Sequence, residues 1–271
     1  MPKEKVLITV KTYPSISAKY NELVCTAGFR EDGSWIRIYP VQFRKKAYSQ
    51  QYSKYQWIEI DVVKNDSDFR VESFRPTTHD TEIKIIGEIK PDGDAWLERR
   101  KMVLNNVYTD LQLLIDEAKD RSIGTSLAVF KPKEIKKFEI KAVKREWSKE
   151  KLDKLNQLNL FESQEKGKFQ VVKKLPYKFS YKLVDEKGKE STMMIEDWEI
   201  GQLFWNSLKR NHGNEELACE DVKKKYFDDF AKTKDLYLFL GTTLVHHNTA
   251  PNPFVIIGTF HPKHITQTSL F

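Results

Sequence analysis

Four small groupings in this sequence could do chemistry. His246 and His247 stand side by side in a polar loop, with His261 and His264 downstream. Imidazoles are common metal ligands and serve as general bases near neutral pH. Neighbours on an extended chain point in opposite directions, so this pair alone makes a poor chelate. Asp228 and Asp229 lie beside Lys224 and Lys225, and Glu59 and Asp61 share a strand-like run. Carboxylates hold the divalent metal of a nuclease when a fold gathers them. Glu196, Asp197 and Glu199 open a helical run, where acids are favoured by the helix dipole. There is no glycine-rich phosphate loop, dinucleotide fingerprint, Gly-x-Ser-x-Gly elbow, His-Glu-x-x-His or zinc-ribbon spacing. The catalytic candidates are therefore Asp228, Asp229, His246 and His247. No metal site or cofactor is assigned; a divalent metal enters only if the chain is a nuclease.

The second kind of chemistry is electrostatic. The chain has 271 residues and a formal net charge of +7. Residues 1–56 carry ten Lys/Arg against four Asp/Glu, and residues 131–174 carry fourteen against seven. Residues 182–240 are acidic, with ten against thirteen. A basic surface interleaved with aromatic rings suits nucleic acid, since cations track phosphates and flat rings stack on bases. The phosphate candidates are Lys11, Lys19, Arg37, Arg44, Lys45 and Lys46; the stacking candidates are Trp35, Tyr39 and Tyr55. Period two places Trp35, Arg37 and Tyr39 on one strand face, with Ile36 and Ile38 facing a core.

These residues need elements to position them. Residues 6–10, 22–29, 35–39, 57–63, 82–89, 125–130 and 134–143 read as strands, with Asp32-Gly33 marking a hairpin and Pro40 expected to stop the strand before it. Residues 96–121 carry apolar side chains at helical spacing. Many short strands with one helical insertion predict a small barrel of the OB or PUA-like kind. Residues 144–168 turn charged and polar, the mark of a linker. Strands are then expected at 169–174, 177–184, 190–195, 236–241 and 254–260, and helices at 196–209 and 214–231. The fold class is α+β. The organisation is a basic β-barrel domain (1–143), a helical linker (144–168), an α+β domain (169–260) and a tail (261–271).

Two short peptides share one form. Gln157-Leu158-Asn159-Leu160-Phe161 falls in the linker and Gln267-Thr268-Ser269-Leu270-Phe271 in the tail. Both resemble the Gln-x-x-Leu-Phe pentapeptide by which bacterial polymerases, mismatch-repair proteins and other factors bind the DNA sliding clamp. The resemblance implies that Gln157 and Gln267 anchor at a pocket rim. Leu160, Phe161, Leu270 and Phe271 would fill its apolar cleft, concentrating binding energy in a few buried anchors. The alternative is that each Leu-Phe pair packs on its own chain. Residues 23–28 and 32–40 also resemble prokaryotic dual OB-fold nucleic-acid-binding proteins, which carry a similar Cys-x-Ala-Gly strand, Gly-x-Trp-Ile-Arg strand and following Pro. That resemblance implies an OB-like barrel and nucleic-acid contact, without chemistry.

No run reaches the length of a membrane span, and the N-terminal residues lack an apolar signal region. Cys25 and Cys219 are isolated, which suits a reducing compartment. The sequence thus reads as a bacterial cytoplasmic, DNA-associated protein tethered to the replication clamp, acting in repair, replication surveillance or defence against foreign DNA. A metal-dependent nuclease or base-modifying enzyme, and a non-catalytic interaction adaptor, remain as alternatives.

Overall fold

The computed structural model describes residues 3–17, 21–150, 152–153 and 171–265. Both Gln-x-x-Leu-Phe peptides, and Lys19, lie outside them.

The α+β class expected from the sequence holds, with a curled half-barrel sheet in the N-terminal part. Its strands are β1 (Glu4–Lys11), β2 (Ser15–Ser17), β3 (Asn21–Phe29), β4 (Trp35–Val41), β5 (Gln56–Ile60), β6 (Val62–Lys64), β7 (Ser73–Pro76) and β8 (Ile83–Glu88). The order is β6-β7-β4-β3-β1-β5-β8, with β2 paired to β3. All of these pairings are antiparallel except β4 with β7. Bulges at Ile8/Val10, Val24/Thr26 and Trp57/Ile58 bend the strands that carry them.

Alternation along the strands fills two cores at once. Val6, Ile8, Val24, Ile36, Ile38 and Ile58 fill the first. Leu7, Val10, Ala27 and Phe29 point the other way and meet Val129, Phe239 and Phe260 of a second sheet. Being covered on both faces explains why β1 is buried without a break from Val6 to Lys11.

The helical insertion is two helices, α1 (Leu97–Val103) and α2 (Leu111–Lys119), separated by the short strand β9 (Val107–Tyr108). The second sheet has the order β15-β14-β10-β9, with β10 (Leu127–Phe130), β14 (Tyr237–Thr242) and β15 (Phe254–Phe260). The third is β11 (Glu134–Ala142), β12 (Tyr177–Val184) and β13 (Glu190–Met194). Strands 127–130 and 134–142, grouped by sequence with the barrel, hydrogen-bond β14 and β12 of the C-terminal half. The strand at 35–39 does not stop at Pro40 but runs through it to Val41. Residues 171–174, the described part of an expected strand, form none. β2 and β7 had no sequence signal.

Helix α3 (Trp198–Arg210) starts on Asp197, whose carboxylate caps it by accepting from Glu199 N at 3.4 Å. Helix α4 (Glu215–Lys223) is capped by Asn214 and continues as a π-helical segment over Lys224–Ala231. Phe204, Val222 and Tyr226 pack with Phe179, Tyr181 and Leu238 into a third core.

Tyr13 joins the half-barrel to α3. Its backbone N–H bonds Glu196 O at 2.9 Å, and its hydroxyl accepts from Trp205 Nε1 and donates to Lys173 O, each at 2.8 Å. The ring packs against the helix at Gly201, where a Cβ would stand 2.1 Å from a ring carbon. Only glycine leaves room for that contact.

Candidate nucleic-acid interface

The outer face of the third sheet follows from simple alternation. Along β12, Phe179, Tyr181 and Leu183 enter the core, so Lys178 and Lys182 face outward, with Ser180 buried between them. Along β11, Phe138 and Ile140 face the core, which turns Lys137, Glu139 and Lys141 outward. The register sets Lys137 directly opposite Lys182, and Lys141 directly opposite Lys178. Like charges directly opposite in a sheet repel. Glu190 offsets part of this, bonding Lys182 at 2.8 Å and also Lys136, while Lys137 stands 3.8 Å from Glu139. Among the described residues, Lys141 and Lys178 form no ion pair.

Where β11 and β12 end, a groove of about 360 Å³ opens, lined by Trp147, Trp205, Leu152 and Pro176. Lys173 Nζ lies 5.6 Å from the Trp205 ring and Lys174 Nζ 6.0 Å from the Trp147 ring. Trp147 is fixed by its Nε1 donating to Val172 O at 2.9 Å. Lys173 and Arg145 are exposed at its walls, Arg145 paired with Glu215, which lines the groove together with Glu146. Lysines leading to two half-buried tryptophans can track phosphates and stack bases. Sequence reasoning missed both rings; the position of Trp147 inside the 131–174 charge run was the available signal, whereas Trp205 is brought to it only by the fold.

The residues singled out in the N-terminal half are not gathered into one exposed surface. Arg37 is 2% exposed, and its guanidinium donates to Ser126 Oγ at 2.8 Å and Ser126 O at 3.1 Å. Lys11 is buried, with Nζ on Tyr52 O at 3.2 Å and over the Phe43 ring at 4.5 Å; desolvation lowers its pKa. Tyr55 is also buried, beneath the Arg99 guanidinium at 3.9 Å. These three are corrections to the expected binding surface: Lys11 is enclosed on the first-core side by Phe43, Tyr52 and Trp198, while Arg37 and Tyr55 lie on the side of the second sheet. The face carrying positions 35, 37 and 39 is covered by the second sheet, while Ile36 and Ile38 fill the first core as expected. Trp35 and Tyr39 are half-buried. Arg44 pairs with Glu22 at 2.6 Å, and Lys46 donates to His79 O and Thr81 O, each at 2.8 Å. Lys45 is exposed.

The catalytic candidates are dispersed. Asp228 pairs with Lys232 at 2.6 Å and Asp229 with Lys225 at 2.7 Å, each one helical turn away. His246 is exposed, whereas His247 is buried with Nδ1 2.8 Å from Thr242 Oγ1. Among the described residues, no three of His, Cys, Asp and Glu come together as metal ligands.

The acids before α3 have a different task. Lys54 Nζ sits 2.9 Å from both Asp197 oxygens and 2.5 Å from Glu199 Oε2. Burial, reinforced by the Glu199 charge, raises the Asp197 pKa. Against its own desolvation, Glu199 is held down to about 2 by the Lys54 ammonium and a hydrogen bond with Asp197. Nearby, His261 stacks on Phe230 at 3.5 Å, and burial with the Lys54 and Lys225 charges pushes it down to about 3.

Two family models match the chain. One, described as Domain of unknown function (DUF8758), covers residues 2–105; the other, described as Domain of unknown function (DUF8757), covers residues 108–271. No curated protein matches. A solved structure of a murine DNA-binding protein bound to double-stranded DNA is similar at 11% identity and a TM-score of 0.32, over 98% of each chain. A similarity that loose carries no argument about fold or ligand. Among the described residues, no helix is long and apolar enough to cross a membrane.

Proposed function

The chain belongs to the family described as Domain of unknown function (DUF8757), and for it we propose nucleic-acid binding, with DNA as the ligand, through the lysine face of β11 and β12. The observation that carries this reading is the pair of cross-strand lysine oppositions, Lys137 with Lys182 and Lys141 with Lys178. Each opposition costs folding energy that a neutral residue would not, and a polyanion laid across the face turns that repulsion into attraction. The two pairs are four residues apart along β11, roughly 13 Å, a span of about four nucleotide steps of one B-form strand. The Trp147 and Trp205 groove lies where this track ends and supplies rings for stacking.

The tether to the sliding clamp rests on the two Gln-x-x-Leu-Phe peptides and their resemblance to clamp-binding sequences. In this reading the protein works in a bacterial cytoplasm beside replicating DNA, in repair, surveillance or defence. Two weak peptides on one chain would gain avidity on a multivalent ring if their separation permits it.

Two assays test the two parts. Labelled single-stranded and duplex oligonucleotides are titrated by fluorescence anisotropy at several salt concentrations; binding that weakens steeply with salt is expected. A sliding clamp is titrated with the full chain, a chain lacking Gln267 to Phe271, and a Leu160→Ala/Phe161→Ala variant. Loss of binding in either variant identifies the working peptide, and no binding in any form removes the tether.

A further inference from the structure

We infer that a second cleft, between the first two sheets, takes a single planar nucleobase. The inference rests on the nucleic-acid reading and adds a base-recognising site to its phosphate-tracking one. The β3–β4 hairpin turn, β7, the α1–β9 connection and the start of β10 enclose about 560 Å³. That is within the size range of small-molecule sites.

Its walls combine the two chemistries a base demands. Trp35 and Phe74 line it with aromatic rings, Phe74 also having the Lys64 ammonium 5.1 Å from its centroid. Trp35 is held by Phe29, with centroids 3.9 Å apart, and by the edge of Phe239 at 5.8 Å. The Arg30 guanidinium covers Phe74 at 5.0 Å. Asn105 and Asn106 stand exposed at the rim, and an amide side chain can donate to and accept from a base edge at once. Asn105 Nδ2 donates to Met102 O at 3.2 Å, which leaves its carbonyl oxygen and one N–H for a ligand.

The polar wall is fixed from behind. Glu72 accepts from Ser126 N at 3.2 Å and from Ser126 Oγ at 2.9 Å, and Ser126 is gripped by buried Arg37. On the far side Tyr108 Oη donates to Glu117 at 2.7 Å, and Thr125 Oγ1 donates to the same oxygen at 3.0 Å. Gly33, at φ +80°, lets the hairpin turn close on Asn105, whose Nδ2 would be 2.8 Å from a Cβ at that position. Such preorganisation holds an aromatic slot open without a ligand.

The cleft also adjoins the lysine-bearing sheet. Tyr108 lines it, and the next residue, Thr109, accepts from Glu186 N at 3.1 Å in the turn after β12. A strand tracked by the lysine face therefore has this slot at its flank for one unstacked base. Arg30 and Glu72 bring opposite charges to the rim, so recognition falls on the ring rather than on phosphate.

The test titrates the full chain with adenosine, guanosine, cytidine and thymidine monophosphates by calorimetry and tryptophan fluorescence. The same titrations follow on Asn105→Ala/Asn106→Ala, on Trp35→Phe and on Lys141→Gln/Lys178→Gln. Saturable binding of at least one mononucleotide is expected, weakened about tenfold by the asparagine pair, as loss of two hydrogen bonds implies. Trp35→Phe should reduce the quench, and the lysine pair should leave mononucleotide affinity unchanged. Asn105 and Asn106 are exposed, so their removal does not threaten folding. If no mononucleotide saturates, and the asparagine variant binds oligonucleotides as wild type does, the cleft inference is overturned while the lysine-face reading stands. If mononucleotides bind and oligonucleotides do not, the cleft stands and the lysine-face reading falls.

Discussion

Arg37 and Ser126 meet across the interface between the first two sheets, with Arg37 Nη1 donating to Ser126 Oγ at 2.8 Å and Nη2 to Ser126 O at 3.1 Å. Ser126 passes the contact on to Glu72 through its own backbone N–H and hydroxyl. The arginine thus holds together β4, the segment before β7 and the start of β10. Arg37→Met keeps much of the volume and removes every donor, leaving the Glu72–Ser126 pair without its cation. We expect a loss of about 2–4 kcal/mol in stability, read as a lower denaturant midpoint at unchanged slope.

The lysine oppositions predict effects of opposite sign on folding and binding. Lys141→Gln/Lys178→Gln removes a repulsive cross-strand pair, so the variant should be as stable as wild type or more so, by roughly 0.2–1 kcal/mol. The same variant should bind DNA more weakly. Thermal unfolding and anisotropy on one protein preparation check both signs.

Lys54 and Asp197 form a buried ion pair at 2.9 Å, and breaking such a pair strands the remaining charge. Lys54→Met should cost about 3 kcal/mol near neutral pH. The Lys54 charge opposes the rise that burial and Glu199 impose on Asp197, so its removal raises that carboxyl further above its unfolded value of 3.8 than in wild type. A raised acid folds best protonated, so the stability deficit relative to wild type should grow as pH rises from about 5 to about 8. Equal deficits at both pH values would contradict this account.

His261 predicts a second pH effect. Burial, with the Lys54 and Lys225 charges, lowers its pKa from 6.5 to about 3. Between those values the unfolded chain binds a proton that the folded chain does not. Stability from this residue is therefore full above about pH 6.5 and is lost as pH falls toward 3. His261→Phe keeps a ring against Phe230 and should flatten the melting-temperature profile in that window.

Local pattern made much of the fold legible. The strand at Tyr177–Val184 and the strand at Phe254–Phe260 coincide with the strand-like runs expected there, and Asp197 and Asn214 begin helices where cap residues precede apolar spacing. What stayed hidden is non-local. Leu127–Phe130 reads as a strand, but nothing in its residues says that it pairs with β14 rather than within the half-barrel. Arg37 looks exposed in the sequence because a charged residue on an alternating strand usually is; only the second sheet, whose contact to it begins at Ser126, 89 positions on, buries it. For the same reason the lysine face was visible only as charge. Lys137 opposite Lys182 is a fact of register, fixed by which strand faces set the third core.

The most direct test of nucleic-acid binding is the salt dependence of DNA affinity for wild type and the Lys141→Gln/Lys178→Gln variant. Plotted as log affinity against log salt concentration, wild type should fall steeply and the variant less so, its slope smaller by about two, one phosphate contact per lysine removed. Identical slopes, or affinity insensitive to salt in both proteins, would contradict the assignment of β11 and β12 as the DNA-tracking face.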